Sequence, residues 1–407
     1  MHEIMIKCPM YFRNIPDGSK YSMKEIYLDN AATTPVIPQV VEAVTDCLKN
    51  DYGNPSSMHR LGIRAEKRIK DAKRHVADLL KTEPEEIIFT SGGTEANNMA
   101  LLGTAYSRMR RGKHCITTAI EHPSVLQAFA HLENQGFEVT YLPVDADGVI
   151  SLDDLHKSIR EDTILVSVMH VNNETGSIQP IREIGVMLAN RPRKPVFHVD
   201  AIQSAGKLPV YPSQWGIDLL SVSGHKIHAP KGIGALYIRS GVRIQPILFG
   251  GNQQDGLRSG TENISGIVGM GEGAKWIARQ LHENSDYLRK LKYTIVEKVK
   301  QALPDAVFNG NIDNGAPHIL NIGFPGLKGE VLLHALEEEG VYVSSGSACS
   351  SRDRKLSHVL KAMGVDDRVL EGSIRVSVSY LTTEEEIEEF IPRLVRAVKR
   401  IERFTRR

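Results

Sequence analysis

Cysteine is scarce in this chain: four in 407 residues (Cys8, Cys47, Cys115 and Cys349), with no C-x-x-C pair among them. That excludes a thioredoxin-like redox motif and a zinc ribbon, and such scattered use fits a reducing cytoplasm. Net charge is nearly absent as well. Fifty Lys and Arg stand against 49 Asp and Glu, leaving +1, so nothing argues for direct contact with nucleic acid or an anionic membrane. No apolar run approaches the roughly 18–20 residues that cross a bilayer. The chain has no G-x-x-x-x-G-K-[ST] and no G-x-G-x-x-G after a strand, which leaves out a nucleotide P-loop and a dinucleotide site.

What is present is an ordinary globular composition, 41% apolar and 24% charged, over a length that exceeds one compact core. Residues 1–24 mix Lys, Cys, Pro, Asp and Gly without an apolar stretch and read as a loosely packed leader, not a secretory signal. Glu25 to Ala32 reads as a short strand, and Thr33-Thr34-Pro35 as the opening of a helix to about Leu48. A second helix from about Gly62 to Leu80 carries a basic, solvated face. Cys47, in a helical pattern, and Cys115, in an apolar strand, read as buried small hydrophobes.

The strand Glu86–Thr90 runs into Ser91-Gly92-Gly93-Thr94-Glu95 and a helix over Ala96–Ala105. A glycine turn feeding a helix N-terminus offers unpaired N–H groups to an anion. Strands are then expected at Lys113–Ala119, Glu138–Pro143, Thr163–His170, Val196–Val199, Asp218–Ser223 and Gly234–Ile238, alternating with helical stretches. The alternation predicts an α/β fold, a mostly parallel seven-stranded sheet between helices. A helical segment from about Gly266 to Leu303 leads to a smaller α+β lobe. The domains are expected at 34–275 (large) and at 25–33 with 276–407 (small).

Polar clusters follow successive strands, at Glu121-His122-Pro123-Ser124, Asn172-Asn173-Glu174, Asp200-Ala201-Ile202-Gln203 and Ser223-Gly224-His225-Lys226. In open α/β sheets, ligands bind outside the carboxyl ends of the strands. Pyridoxal phosphate needs a lysine for its aldehyde, an acid for its ring nitrogen, a planar group over the ring and a phosphate cradle. Lys226 is the candidate for the first, although most lysines are simply solvated. Asp200 suits the second, and equally suits a helix N-cap. His122 can stack on the ring and move protons near neutral pH. Gln203 can hold the phenolic oxygen, and Gly93, Thr94, Ser223 and His225 the phosphate.

Those residues, taken with Asp29-Asn30-Ala31-Ala32-Thr33-Thr34, Gly53-Asn54-Pro55-Ser56-Ser57, Arg258-Ser259-Gly260-Thr261 and Ser345-Gly346-Ser347-Ala348-Cys349, occur in one order over residues 25–400. In that order they resemble the cysteine desulfurases, class-V enzymes of the aminotransferase fold that are pyridoxal-phosphate dependent and mobilise sulfur in bacteria. The resemblance implies a fold-type-I homodimer in which Thr261 reaches the phosphate bound by the neighbouring subunit. It implies that Asn30, Asn173 and Arg375 hold the substrate, the guanidinium matching a carboxylate. It implies L-cysteine as substrate, with sulfur passed as a persulfide to Cys349, which lies in a run of small polar residues. An acceptor would be an iron–sulfur scaffold or a tRNA-thiolation protein. No resident metal is implied, only transient cluster ligation by Cys349. The basic run Arg352-Asp353-Arg354-Lys355 would face an acidic acceptor surface. Selenocysteine lyase, another class-V activity and a catalytically inactive sulfur carrier remain the alternatives.

Overall fold

The computed structural model describes residues 24–279, 281–345 and 356–405. All of the leader but Lys24, with Cys8, Cys349 and the run Arg352–Lys355, lies outside the described residues. The first part of the chain runs β1 (Ile26–Tyr27), α1 (Pro38–Asn50), α2 (Arg60–Leu80), β2 (Ile87–Thr90), α3 (Gly93–Arg108), β3 (His114–Thr118), α4 (Pro123–Asn134) and β4 (Glu138–Leu142). Next come α5 (Leu152–Ser158), β5 (Thr163–Met169), α6 (Ile181–Ala189), β6 (Val196–Asp200), β7 (Leu219–Ser223), β8 (Gly234–Ile238) and α7 (Ile264–Ala278). The remainder is α8 (Leu281–Ala302), β9 (Val307–Asn309), β10 (Ile319–Gly323), α9 (Gly329–Glu338), β11 (Val341–Tyr342) and β12 (Ser344–Ser345). It closes with α10 (His358–Ala362), α11 (Asp367–Glu371), β13 (Ser373–Ser377) and α12 (Glu384–Thr405).

The strands β5, β6 and β7 read TILVSVM, VFHVD and LLSVS, and every residue in them is buried. Helices cover both faces of such strands, so their apolar residues run on instead of alternating. They belong to a seven-stranded sheet of order β2-β8-β7-β6-β5-β3-β4. β3 to β7 pair in parallel, while β8 is antiparallel to both its neighbours. The carboxyl ends of β3, β5, β6 and β7 therefore share one edge. A second sheet, order β12-β13-β10-β9, is antiparallel throughout.

Three large apolar cores follow from these sheets. One gathers Phe197, Val199, Leu220, Ala235 and Ile267; a second gathers Ile26, Leu288, Leu320, Ile374 and Phe390; the third gathers Ile88, Phe129, Leu165, Leu219 and Leu236. Each fully buried aliphatic or Phe side chain contributes about 1.5–3 kcal/mol relative to exposure.

The first helix starts at Pro38, not at Thr33, because Thr34 is committed elsewhere. Its N–H and hydroxyl donate to the His225 carbonyl (2.9 and 3.0 Å), and its hydroxyl accepts from the N–H of His228 (2.9 Å). The strand expected over Glu25–Ala32 shrinks to Ile26–Tyr27, since the chain turns at Asp29, whose carbonyl takes the N–H of Ala32. The helical stretch at 266–303 is two helices, α7 and α8, and the change of core comes within α8: Ile277 and Leu281 serve one core, Leu288 and Leu291 the other. Cys47 and Cys115 are buried free thiols, as expected.

Candidate active site

Lys226 sits on the short turn that follows β7 and is only 9% exposed. Its Nζ donates to the carbonyls of Ala31 and Ala32, the second at 2.6 Å. Buried among main-chain acceptors at the edge of the sheet, the amine is held away from bulk water. That is the setting in which a lysine serves as a nucleophile toward a carbonyl.

Asp200 closes β6 as its last residue and is not a helix cap. Its Oδ1 accepts from the N–H of Ile202 (2.9 Å) and its Oδ2 from Asn97 Nδ2 (2.8 Å). Asn97 also donates to Ser124 Oγ (2.9 Å), and Ser124 Oγ lies 2.8 Å from His122 Nδ1. Because His122 Nδ1 also accepts the Ser124 N–H (3.1 Å), the neutral ring carries its proton on Nε2. A hydrogen-bonded chain thus runs from the acid to the imidazole. Burial raises the Asp200 pKa, opposed by the Ile202 N–H and by the charges of His122 and Lys226; burial lowers that of His122, opposed by Asp200. A carboxylate so desolvated is completed by a cation, the role of a protonated ring nitrogen.

At the other end of the site, α3 begins at Gly93 itself, three residues before the start expected from the sequence. The N–H groups of its first turn have no intrahelical acceptor. A Cβ at Gly93 would lie 2.2 Å from Ile202 Cδ1 and 3.6 Å from Ser223 Cβ, so the helix start is seated on the ends of β6 and β7. Thr94 is exposed on that first turn, and Ser223 is buried beneath it. His225 places Nδ1 3.2 Å from Thr33 Oγ1 and is driven down to about 4 by burial and the charges of Lys226, Lys231 and Lys207. Arg258 ties the loop before Thr261 to α3 through Glu95 (2.8 Å), with Thr261 itself exposed.

Gln203 is buried, with Nε2 donating to Ala31 (2.9 Å) and Oε1 lacking a partner. The Oδ1 atoms of Asn30 and Asn97 are likewise buried and unpartnered. Asn30 donates to Ser377 (3.0 Å). Arg375, on β13, bridges two distant segments: one terminal nitrogen donates to Asn173 O (2.8 Å) and the other to Asp29 (2.8 Å), while Nε is buried without an acceptor. Arg375 is thus ion-paired and has a buried donor left over.

The residues present fit pyridoxal phosphate. A desolvated acid, an amine on the neighbouring strand end, an imidazole wired to the acid and a helix start without Cβ atoms face one edge, with unsatisfied buried oxygens between them. Sequence reasoning missed Asn97, and gave no role to Ser124, Glu121 or Glu174 within the clusters it read. Asn97 lies one helical turn after Gly93 on the same face, and that spacing was the available signal. Burial pushes Glu121 up to about 8 and Glu174 up to about 7. Glu174 accepts from Ser357 Oγ (2.5 Å), and Glu121 O lies 3.0 Å from His358 Nε2. The segment that resumes at Leu356 is thereby fastened beside Asn173 and His122. Cys349 lies outside the described residues.

Comparison with known proteins agrees with this geometry. The family model for class-V aminotransferases matches residues 26–390. A cysteine desulfurase IscS of Dictyoglomus turgidum is 43% identical over 378 residues, 93% of this chain and 95% of that one. One from Photorhabdus laumondii is 45% identical over 381 residues, 92% of this chain and 93% of the other. Among solved structures, a NifS-like protein superposes with a TM-score of 0.87 at 38% identity, covering 92% of this chain and all of that one. The structure of SspA in complex with cysteine does so with a TM-score of 0.77 at 36% identity, over 88% and 100%. The chain therefore belongs to the class-V aminotransferases, and within them to the pyridoxal-phosphate-dependent cysteine desulfurases.

Proposed function

We propose that this protein removes sulfur from L-cysteine, releasing L-alanine, and carries the sulfur as a persulfide on Cys349. The observation that carries the reading is the convergence of Lys226, Asp200 and His122 on one sheet edge, with Arg375 reaching it from the other lobe. Pyridoxal phosphate, when bound, supplies an electron sink for the bond-breaking at the substrate. The chain's own residues do the rest. Asp200 keeps the cofactor's ring nitrogen protonated. Arg375, with Asn173 and Asn30, holds the substrate carboxylate and so fixes which Cα bond faces Lys226. The freed Lys226 amine takes the Cα proton, and His122, with its proton on Nε2, donates and accepts protons nearby. The Cys349 thiolate attacks the substrate sulfur; the carbon–sulfur bond breaks, a sulfur–sulfur bond forms, and carbon gains the proton that makes alanine.

Both ends of the Cys349 segment start at the site. Ser344 pairs with Arg375 and Ser345 with Ile374, and Ser357 is bound to Glu174. The acceptor is a protein of iron–sulfur assembly or tRNA thiolation. The expected mode of action is a homodimer, supported by large apolar side chains left exposed on two loops that border one cavity. Tyr52 and Met58 (72% and 96% exposed) flank Pro55 and Ser56 of its lining, and Leu248 and Phe249 (45% and 79%) precede Asn252–Asp255. Thr261, in the same loop region, would complete the partner's phosphate site. We place the domain changeover at the break between α7 and α8, close to residue 276, with residues 25–33 joining the smaller domain. Two buried free thiols suit the cytoplasm.

Mass spectrometry of Cys349 after exposure to L-cysteine, with alanine quantified in parallel, tests the proposal. One added sulfur on that residue and an equal yield of alanine are expected. Alanine formed at the wild-type rate by a Cys349→Ala variant would overturn the transfer step.

A further inference from the structure

Lys207 lies on the turn after β6 and is only 5% exposed. A lysine at that depth ordinarily faces a carboxylate. Among the described residues Lys207 has no ion pair. Its Nζ donates instead to the main-chain carbonyl of Lys226. The turn that carries it is held from the far side by Tyr380, whose hydroxyl donates to Gly206 O. Gly206 has φ 76°, so the backbone there is shaped for glycine and the course of residue 207 is fixed.

The groups around this pair of lysines are mostly neutral or cationic. His225 and His228, on the turn after β7, and His318, just before β10, all feel the Lys207 charge, and burial keeps each of them neutral. Lys292 and Arg375 add positive charge toward His318. His122 and Asp200 feel the charge of Lys226, and Asp200 is the one acid among them. The second amine beside the cofactor lysine is therefore uncompensated. Its burial is costly, and a hydrogen bond to one carbonyl does not by itself account for it.

We infer that Lys207 is a positioning residue for Lys226: its ammonium holds the carbonyl of residue 226 and, by like-charge repulsion, keeps the nitrogen of Lys226 free of a proton so that it can accept one from substrate. The inference rests on Lys226 as the cofactor's anchor. Burial and the charge of Lys226 bring Lys207 down to about 7. The repulsion is mutual, so while the Lys226 nitrogen is neutral Lys207 keeps its proton to higher pH.

The visible absorbance of the holoenzyme, titrated with pH, reports the protonation of the lysine–cofactor linkage without any turnover. In Lys207→Met the midpoint is expected to rise by roughly half a pH unit or more, because a repelling charge has gone. Lys207→Arg, which stays charged and can still donate, is expected to keep the midpoint at or below the wild-type value. Lys207→Gln, equally uncharged, makes the same comparison if the methionine variant does not fold. An unmoved midpoint in the uncharged variants, even with lower thermal stability or less bound cofactor, overturns the inference. So does a midpoint in Lys207→Arg as high as in Lys207→Met. Absence of the linkage band from wild type and variants alike would instead refute Lys226 as the anchor.

Discussion

Asp200 shows how much of this site is decided by single side chains. Both of its oxygens accept from neutral donors, Ile202 N–H and Asn97 Nδ2, and the Asn97 amide, whose Oδ1 has no partner, can turn to accept from an amide placed there; loss of charge then changes the electrostatics more than the geometry. Asp200→Asn is expected to retain bound cofactor yet lose about 100-fold or more in kcat, within the range that proton-handling groups contribute. The check is steady-state turnover of L-cysteine alongside the cofactor-to-protein ratio. A loss that appears only in KM would mean the acid serves substrate binding. Arg375 is also double in character: its ion pair with Asp29 aims the guanidinium, and its Nε is buried without an acceptor.

Among the elements, the start of α3 is the most exacting. Ile202 Cδ1 occupies the space a side chain at 93 would need, and the N–H of Ile202 is a ligand of Asp200. Gly93→Ala therefore pushes on the acid as well as on the phosphate end, at about 1–3 kcal/mol for overpacking. Faster loss of cofactor on dialysis, with the far-UV spectrum unchanged, is the expected result. The strands were legible from their apolar runs, and so were Lys226, Asp200 and His122, because a polar cluster after a buried strand is a pattern local in sequence. What stayed hidden depends on distance along the chain. Thr34 cancels a helical turn because it bonds to His225, 191 residues away, and no window of sequence contains that contact. Ser357 meeting Glu174 and Lys207 meeting the Lys226 carbonyl are of the same kind.

For the whole molecule, the buried ionisable groups set the response to acid. Burial lowers the pKa of His170, His198, His225, His228 and His318, so the fold refuses protons that the unfolded chain takes up below about 6.5. Burial raises Glu121, Glu174 and Asp200, so there the fold keeps protons that the unfolded chain gives up. With His75, His114, His122 and His358 lowered by the same cause, nine imidazoles outweigh three carboxyls, and the unfolded state binds more protons as pH falls from about 6.5 toward 4.5. Stability is therefore expected to drop over that window. Calorimetric melting at pH 7 and pH 5 checks it: a Tm at pH 5 equal to or above that at pH 7 would show that the acids dominate.

The site also draws its parts from both extremes of the chain. Ala31 and Ala32 cap the Lys226 amine, and Asn30 and Ser377 are bonded to each other beside Arg375. Arg375 meets the Asn173 carbonyl and Asp29, which stand 202 and 346 residues away along the chain, so three distant segments must be folded together before that guanidinium is aimed.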